Sequence, residues 1–280
     1  MISVSDKTGI VELAKELCGR NIELVSTGGS ASILRNAGFK VTEVSKLTGF
    51  PEMMDGRLKT LHPNVHGGLL ADRDEKSHVN AMEKYNVKEI DLLVVNLYPF
   101  AETVRAGADY AQCIENIDIG GPAMIRAAAK NFKYVATLVD IEDYEGLVNE
   151  LKMNNGCTSY SFRQKLSQNA FSLSAYYDAM VSNWMLDNIT GVKPRRFSIS
   201  AALSQDLRYG ENPHQSASFF LDEYLQGGIG ASNQIQGKKL SYNNINDTDA
   251  ALELVNEFPQ NDGAAAVIVK HANPCGVGVA

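Results

Sequence analysis

The first 140 residues alternate short apolar segments with helical patterns, and this alternation most constrains the fold. Apolar segments with strand character occupy residues 2–5, 23–26, 40–44, 91–96 and 134–139. Between the first two, Ile10, Leu13 and Leu17 recur at the spacing of one helix face. Strands that alternate with helices form parallel sheets with crossover helices. We therefore predict an α/β fold with a parallel sheet and flanking helices.

Composition and charge indicate a globular protein with two domains and restrict its partners. The chain has 280 residues, of which 44% are hydrophobic and 21% charged. Its 26 Lys and Arg against 33 Asp and Glu give a net charge of −7, which argues against a broad nucleic-acid-binding surface. No apolar run approaches the ~20 residues of a membrane span, and the first residues lack an export signal. We expect neither nucleic acid nor membrane as a partner.

The cysteine pattern bears on metal and redox chemistry. Cys18, Cys113, Cys157 and Cys275 are far apart in the sequence and form no CxxC pair. This spacing argues against a disulfide framework and against a structural zinc site. We therefore expect a reducing, cytoplasmic location and no bound metal.

The second half of the chain differs in character. A long helical region covers residues 159–188, and the Gly- and Pro-containing stretch 191–196 breaks it, so we place a domain boundary near residue 195, between domains 1–195 and 196–280. Strands are predicted at 217–221 and 264–270, and a helix at 247–258. A domain of about 85 residues with so few strands lacks sheet partners. We expect the chain to be a piece of a longer protein.

Two loops suggest a phosphate site. Thr27, Gly28, Gly29 and Ser30 follow the second predicted strand and begin a helix, and Lys7 lies in the equivalent loop after the first strand. Glycines and a helix N-terminus let backbone N–H groups approach an anion. The same turn also suits a tight strand-to-helix connection with no ligand. The pattern is neither a Walker A loop nor a GxGxxG fingerprint.

A basic stretch rich in Gly and Pro follows at residues 55–68. Arg57 and Lys59 could bracket a phosphate or an oxyanion, although a solvated charged loop is the alternative. His62 and His66 have the spacing of a helical zinc site, but Pro63 argues against a regular helix and no third ligand is near. We therefore expect hydrogen-bonding histidines in a turn.

Two further segments carry polar side chains at predicted element ends. Asn96 and Tyr98 lie where the fourth strand ends, at the edge that also carries the first two loops. Asp118 falls near the N-terminus of a predicted helix that carries Arg126 and Lys130. From spacing alone, helix capping by Asp118 and core capping by Tyr98 are the favoured interpretations.

Several motifs together resemble one enzyme family. SVSDKTG, STGGS, FPEMMDGRLKTLHPNVHGG, NLYPF, IDIGGPAMIRAAAKN, RYGENPHQ and VKHANPCG occur in this order. The chain is similar to the bifunctional purine-biosynthesis enzymes that join inosine monophosphate (IMP) cyclohydrolase to aminoimidazole-carboxamide ribotide (AICAR) transformylase. This resemblance implies a methylglyoxal-synthase-like first domain, followed by the beginning of a cytidine-deaminase-like α/β transformylase domain. It implies a homodimer, formylated AICAR (FAICAR) as the first substrate, and 10-formyltetrahydrofolate as co-substrate of the transformylase only.

The resemblance also implies roles for residues of the first domain. Phosphate contacts are implied for Ser5, Lys7, Thr27, Gly28, Gly29 and Ser30, and further substrate contacts for Arg57, Thr60 and Asn96. The implied catalytic set is Lys59, Tyr98, Asp118 and Lys130. We expect Lys59 and Tyr98 to stabilise or protonate the formyl oxygen, and the other two to handle the amide proton and the leaving water.

In the second domain, the resemblance implies AICAR contacts and a catalytic pair. The AICAR contacts are Arg208, Tyr209, Asn243 and Asn244. Lys270 and His271 match the catalytic pair. The non-catalytic interpretation is a strand end that happens to carry a lysine and a histidine. Pro274 and Cys275 are similar to the zinc-binding pair of nucleotide deaminases, but the second cysteine is missing, so we expect Cys275 to pack at a turn.

Two other functions remain open for the first domain. One is a non-catalytic regulatory domain that senses a phosphate ligand, which the two loops would serve equally well. The predicted catalytic set argues against a sensor, because a sensor does not need these groups around one ligand: Lys59, Tyr98, Asp118 and Lys130. The other is methylglyoxal synthase itself, which would need a carboxylate base over a three-carbon phosphate.

Overall fold

The computed structural model describes residues 1–222, 227–259, 261 and 263–280. These residues form two compact units, Met1–Met185 and Leu186–Ala280. The sequence-based boundary near residue 195 lies inside the second unit and stays a prediction for the domain limits. Each unit has its own sheet structure.

The first unit is built on a five-stranded parallel sheet. Its strands are β1 (Ile2–Ser3), β2 (Leu24–Ser26), β3 (Val41–Glu43), β4 (Leu92–Val95) and β5 (Ala136–Leu138). Their order is β3-β2-β1-β4-β5, and Ile2 pairs with both Ser26 and Val94. Each strand lies within a segment predicted from the sequence, so the parallel α/β fold is confirmed.

Ten α-helices of this unit connect or cover the strands. They are α1 (Ile10–Cys18), α2 (Gly28–Asn36), α3 (Val44–Thr48), α4 (Pro63–Leu70), α5 (Lys76–Tyr85), α6 (Phe100–Arg105), α7 (Tyr110–Glu115), α8 (Gly120–Lys130), α9 (Asp143–Met153) and α10 (Tyr160–Asp187). A short 3-10 helix spans Met54–Gly56. The helices bury both faces of the sheet, because Leu93 and Val95 belong to one apolar cluster whereas Val94, between them, belongs to the other.

Helix α4 corrects one expectation about the basic stretch. Pro63 does not prevent a helix there, because it occupies the first helical position. At that position a missing N–H costs nothing and the fixed φ suits the helix. Nδ1 of His62 accepts a hydrogen bond from Asn64 N at 3.1 Å and caps this helix.

The described part of the second unit contains two separate antiparallel strand pairs and one long helix. The pairs are β6 (Ala202–Asp206) with β7 (Ser218–Leu221), and β8 (Ala265–Lys270) with β9 (Asn273–Val279). Helix α11 (Tyr242–Asn256) begins five residues before the predicted start, because Ser241 and Asn244 form a capping box. A short 3-10 helix spans Ile229–Ala231.

Cys275 does not pack at a turn, as the sequence suggested, because it is an exposed residue within β9. Among the described residues, no helix is long and apolar enough to cross a membrane.

Candidate active site

The carboxyl ends of the parallel strands form the candidate site of the first unit. The strand order reverses direction between β1 and β4, because the chain continues to one side through β2 and β3 and to the other through β5. Ligands of open α/β sheets bind in the crevice at such a switch point. The loops after β1, β2 and β4 carry the polar residues that the sequence singled out.

The loop after β2 has the geometry of an anion cradle. Thr27 is the N-cap of α2, and the first intrahelical hydrogen bond is donated by Ala31 N to Thr27 O. The N–H groups of Gly28, Gly29 and Ser30 precede that bond, so they lie at the positive end of the helix dipole. An anion at such an end is stabilised by about 0.3–1 kcal/mol on the surface, and by up to about 2 kcal/mol when partly buried.

Two lysines lie directly against this cradle. A Cβ atom on Gly28 would lie 3.0 Å from Nζ of Lys59, and one on Gly29 would lie 3.3 Å from Cε of Lys7. Gly28 also has φ +42°, a backbone conformation that is energetically costly for a residue with a side chain. The two glycines therefore give the lysines access to the helix N-terminus. Nζ of Lys59 is paired with Glu52 at 2.9 Å, so a bound anion would compete with that carboxylate.

Side-chain hydroxyls at the cradle form hydrogen bonds that hold the neighbouring loops together. Ser30 is buried, and its Oγ donates to Val4 O at 3.0 Å. Ser3 and Thr27 exchange a hydrogen bond at 3.1 Å between their hydroxyls. These contacts join the loops after β1 and β2, so the side chain of Ser30 is committed to the scaffold and its backbone N–H faces the cradle.

Asn96 joins the loop after β1 to the end of β4. Its Oδ1 accepts from Ser5 N at 2.5 Å and from Asp6 N at 3.1 Å, and its Nδ2 donates to Asp6 O at 2.9 Å. Both ends of the amide are thereby engaged by the backbone. The structure gives Asn96 a shaping role for the loop, and its direct contact with substrate stays a prediction.

The segment 57–60 spans the two halves of this edge. Lys59 lies at the cradle, while Oγ1 of the buried Thr60 lies 2.7 Å from where a Cβ on Gly120 would be, at the start of α8. Arg57 forms an ion pair with Glu115 and is largely exposed. A cleft of about 200 Å³ opens beside the cradle, and Thr27, Phe50 and Lys59 are among its lining residues.

Tyr98 and Asp118 come together at the other half of the edge. Oδ1 of Asp118 accepts from Gly121 N at 2.8 Å, so the capping role expected from spacing is present. Burial raises the pKa of Asp118, although hydrogen bonds from the backbones of Gly121 and Tyr98 oppose this shift. Burial, and then the nearby charge of Asp118, raise the pKa of the Tyr98 phenol. The pair combines a carboxyl group with a protonated phenol.

Lys130 is not brought to this pair. It is the exposed last residue of α8, whose 11 residues start beside Asp118. An α-helix of that length spans about 16 Å, so Lys130 is at the far end of α8 from Asp118, six residues before β5. The structure does not show Lys130 beside this pair, and its catalytic role stays a prediction. Lys59 lies at the cradle, and Tyr98 and Asp118 lie at the other half of the same edge.

The two histidines form no metal site. Among the described residues, no group of three His, Cys, Asp or Glu side chains is arranged to hold a metal ion. His62 caps α4, whereas Nε2 of His66 is buried and has no hydrogen-bond partner in the described part of the chain. Burial lowers the pKa of His66. The expectation of a hydrogen-bonding histidine therefore holds for His62 and not for Nε2 of His66.

The residues singled out in the second unit cluster around the start of α11. Arg208 donates to Oδ1 of Asn244 at 3.3 Å, and its guanidinium lies 5.2 Å from the centre of the Tyr209 ring. Nδ2 of Asn243 donates to Glu211 O at 3.1 Å. The structure thus brings all four predicted AICAR contacts together.

Lys270 and His271 lie at the turn between β8 and β9. His271 and Ala272 both have positive φ, at 51° and 56°, as the turn of a tight hairpin requires. Oδ1 of Asp247 accepts from Ala272 N at 2.7 Å and ties this turn to α11, one helical turn beyond Asn243. No sequence pattern marks Asp247 as an anchor, because only the tertiary fold brings it to the turn.

Two protein-family models match the chain. Residues 9–123 match the sequence model of the MGS-like domain, and residues 128–280 match that of the AICARFT/IMPCHase bienzyme, more than half of the chain. The chain belongs to the AICARFT/IMPCHase bienzyme family. The resemblance inferred from the motifs is therefore confirmed.

Individual members of this bienzyme family and a solved structure are similar over long stretches. The bifunctional purine biosynthesis protein PurH of Dinoroseobacter shibae is 62% identical over 277 residues, covering 99% of this chain and 52% of the relative. The PurH protein of Ruegeria pomeroyi is 60% identical with the same coverage. The crystal structure of ForH matches with a TM-score of 0.57 and 34% identity, covering 66% of this chain and 98% of ForH. The chain spans about half the length of the curated relatives it matches.

Proposed function

We propose that the first unit cyclises FAICAR to IMP with loss of water, the IMP cyclohydrolase reaction of purine biosynthesis. The observation that carries this proposal is the position of segment 57–60. It places Lys59 at a phosphate cradle and Thr60 at the helix start beside Asp118. One ribotide could therefore bind with its phosphate in the cradle and its reacting groups between Lys59 and Asp118.

The chemistry requires both halves of the edge. A carboxamide nitrogen is a weak nucleophile and must attack an unreactive formamide carbon. Orientation of the two groups, stabilisation of the charge on the formyl oxygen, and proton transfer each lower the barrier. The cradle with Lys7 would bind the phosphate and orient the ribotide.

The roles follow from the protonation states of the groups. Tyr98, whose pKa is raised, keeps its proton and would donate it toward the formyl oxygen together with the cationic Lys59. Asp118, half-buried beside the Tyr98 backbone, would accept the amide proton. Lys130 ends α8, whose first turn lies beside Asp118, and we keep its catalytic role as a prediction of the family resemblance.

For the second unit we propose a part of the AICAR transformylase, with 10-formyltetrahydrofolate as the formyl donor of the whole enzyme. Arg208, Tyr209, Asn243 and Asn244 would contact AICAR. At the hairpin turn, His271 would assist removal of the amine proton and Lys270 would stabilise the developing charge. We further propose a cytoplasmic homodimer for the whole enzyme.

The test is a pair of assays on the purified chain. With FAICAR, IMP formation followed by absorbance is expected, whereas AICAR with 10-formyltetrahydrofolate should give little or no product. FAICAR binding without turnover would favour the phosphate-sensing alternative, and turnover of a three-carbon phosphate would favour methylglyoxal synthase. Strong transformylation would contradict the view that this chain holds only part of that site.

A further inference from the structure

The long helix α10 contacts the loop that carries Asp118. The hydroxyl of Tyr177 accepts a hydrogen bond from Asp118 N at 2.8 Å and donates one to Asn116 O at 3.4 Å. Tyr177 is 4% exposed and lies 59 residues from Asp118 in the sequence. One buried phenol therefore bridges two backbone groups of the loop that leads into α8.

The same side chain also supports the segment that carries Tyr98. The ring of Tyr177 packs edge-on against Phe100 with centroids 6.4 Å apart, and Phe100 is 1% exposed. Phe100 follows Tyr98 by two residues, and its N–H bonds Tyr98 O at 2.8 Å. Tyr177 thus contacts one loop through its hydroxyl and the other through its ring.

The protonation state of the phenol suits this bridge. Burial raises the pKa of Tyr177 to about 12, although the hydrogen bond from the Asp118 backbone opposes the shift. The hydroxyl keeps its proton at neutral pH, so it can donate to Asn116 and accept from Asp118 at the same time. A phenylalanine would retain the ring packing and lose both bonds.

The carboxyl group of Asp118 is held from the other side by the start of α8. Its Oδ1 accepts from Gly121 N, and a Cβ on Gly121 would come within 2.7 Å of its Oδ2. Backbone and side chain of Asp118 therefore have separate anchors. The backbone anchor is Tyr177, and the side-chain anchor is the α8 N-terminus.

We propose that Tyr177 is a positioning residue that holds Asp118 opposite Tyr98 during ring closure. This inference rests on the proposed cyclohydrolase function. Helix α10 lies outside the region matched by the MGS-like model and inside the region matched by the bienzyme model. Tyr177 therefore belongs to the part of the chain that distinguishes this family from the MGS-like domain alone.

The decisive variant is Tyr177→Phe, assayed with FAICAR in the full chain. We expect kcat to fall about tenfold, while KM stays within about twofold. The reason is that a buried N–H without a partner lowers the population of the correctly placed Asp118 loop by about one order of magnitude. A matched control is Ser167→Ala, which removes a buried hydroxyl bond from the same helix to Ala129 O, at 2.7 Å. That variant should lose similar stability and keep kcat.

A second measurement does not depend on activity. Hydrogen exchange of the peptide covering residues 116–121 should become faster in Tyr177→Phe and stay unchanged in Ser167→Ala. Unchanged exchange and unchanged kcat would overturn the inference while leaving the cyclohydrolase proposal intact. If the unmodified chain fails to cyclise FAICAR, the proposed function fails, and the exchange experiment alone decides whether Tyr177 holds the loop. A parallel loss of kcat in both variants would show a purely structural role.

Discussion

The two units of this chain differ most in what they bury. Every fully buried apolar side chain among the described residues lies between Met1 and Trp184, in the first unit. In the described part of the second unit, the buried side chains are the polar Ser200 and Ser241, and large apolar residues such as Phe220 and Ile268 are exposed. A parallel sheet covered on both faces closes its own core, whereas two separate strand pairs do not.

This difference bears on where function is complete. In the first unit, the site residues are held by buried partners on other elements, as Asp118 is by Tyr177. In the second unit, the predicted residues cluster around α11, but their surroundings are exposed. Active sites need a rigid supporting shell. We therefore expect cyclisation to depend on the residues of the first unit and not on those of the second.

The largest contrast is expected in core stability. Leu93 is fully buried in β4, while Ile268 in β8 is 68% exposed. We expect Leu93→Ala to lower the free energy of unfolding of the first unit by about 2–5 kcal/mol, because it leaves a cavity. Ile268→Ala should change stability by less than about 0.5 kcal/mol. Denaturant unfolding measures the stability of both variants, and the fluorescence of the single Trp184 reports on the first unit. A similar loss of stability in both variants would remove the contrast.

A comparable contrast is expected in turnover. Lys59→Ala should reduce FAICAR cyclisation by about 10²–10³, the usual cost of one oxyanion donor. Lys270→Ala is the matched substitution in the second unit and should leave cyclisation unchanged. Steady-state rates for both variants test this, with circular dichroism as the control for folding. Near-normal cyclisation by Lys59→Ala would remove this lysine from the catalytic set.

The pH dependence should separate the units again. Because burial raises the pKa of Asp118, its carboxyl group loses its proton at a higher pH than an ordinary aspartate. If it accepts the amide proton, kcat rises with pH through that raised pKa and falls about tenfold per pH unit below it. Asp118→Asn should abolish this acidic limb, whereas His271→Asn should leave it in place. An acidic limb that survives Asp118→Asn would assign the proton acceptor to another group.

The smallest expected effect concerns helix caps. Asp109 and Ser241 each form a capping box, at α7 and α11 respectively. Replacing either by Ala should cost about 1 kcal/mol. Since none of the described side chains of α11 is buried, we expect Ser241→Ala to speed hydrogen exchange along the whole helix, but Asp109→Ala only in the first turn of α7. Equal spreading in both helices would show that the second unit is better supported than its burial indicates.

Although β6 and β9 were not predicted, the sequence by itself determined the parallel α/β fold of the first unit, the strand segments of its sheet, the glycine turn after β2 and the family. These depend on local patterns, since apolar period, glycine at a strand end and ordered motifs are all visible along the chain. It could not decide whether Pro63 ends or begins a helix, because proline suits both a break and a first helical position.

Only the tertiary structure decided which polar residues meet. It separated Lys130 from Asp118 by the length of α8, and it brought Lys59 and Thr60 to two different helix starts. It also brought the hydroxyl of Tyr177 into hydrogen-bond contact with Asp118 N, 59 residues earlier in the sequence. A buried tyrosine in a long helix looks like any core residue in the sequence, because its hydrogen-bond partners are backbone groups whose positions depend on the packing of the whole unit.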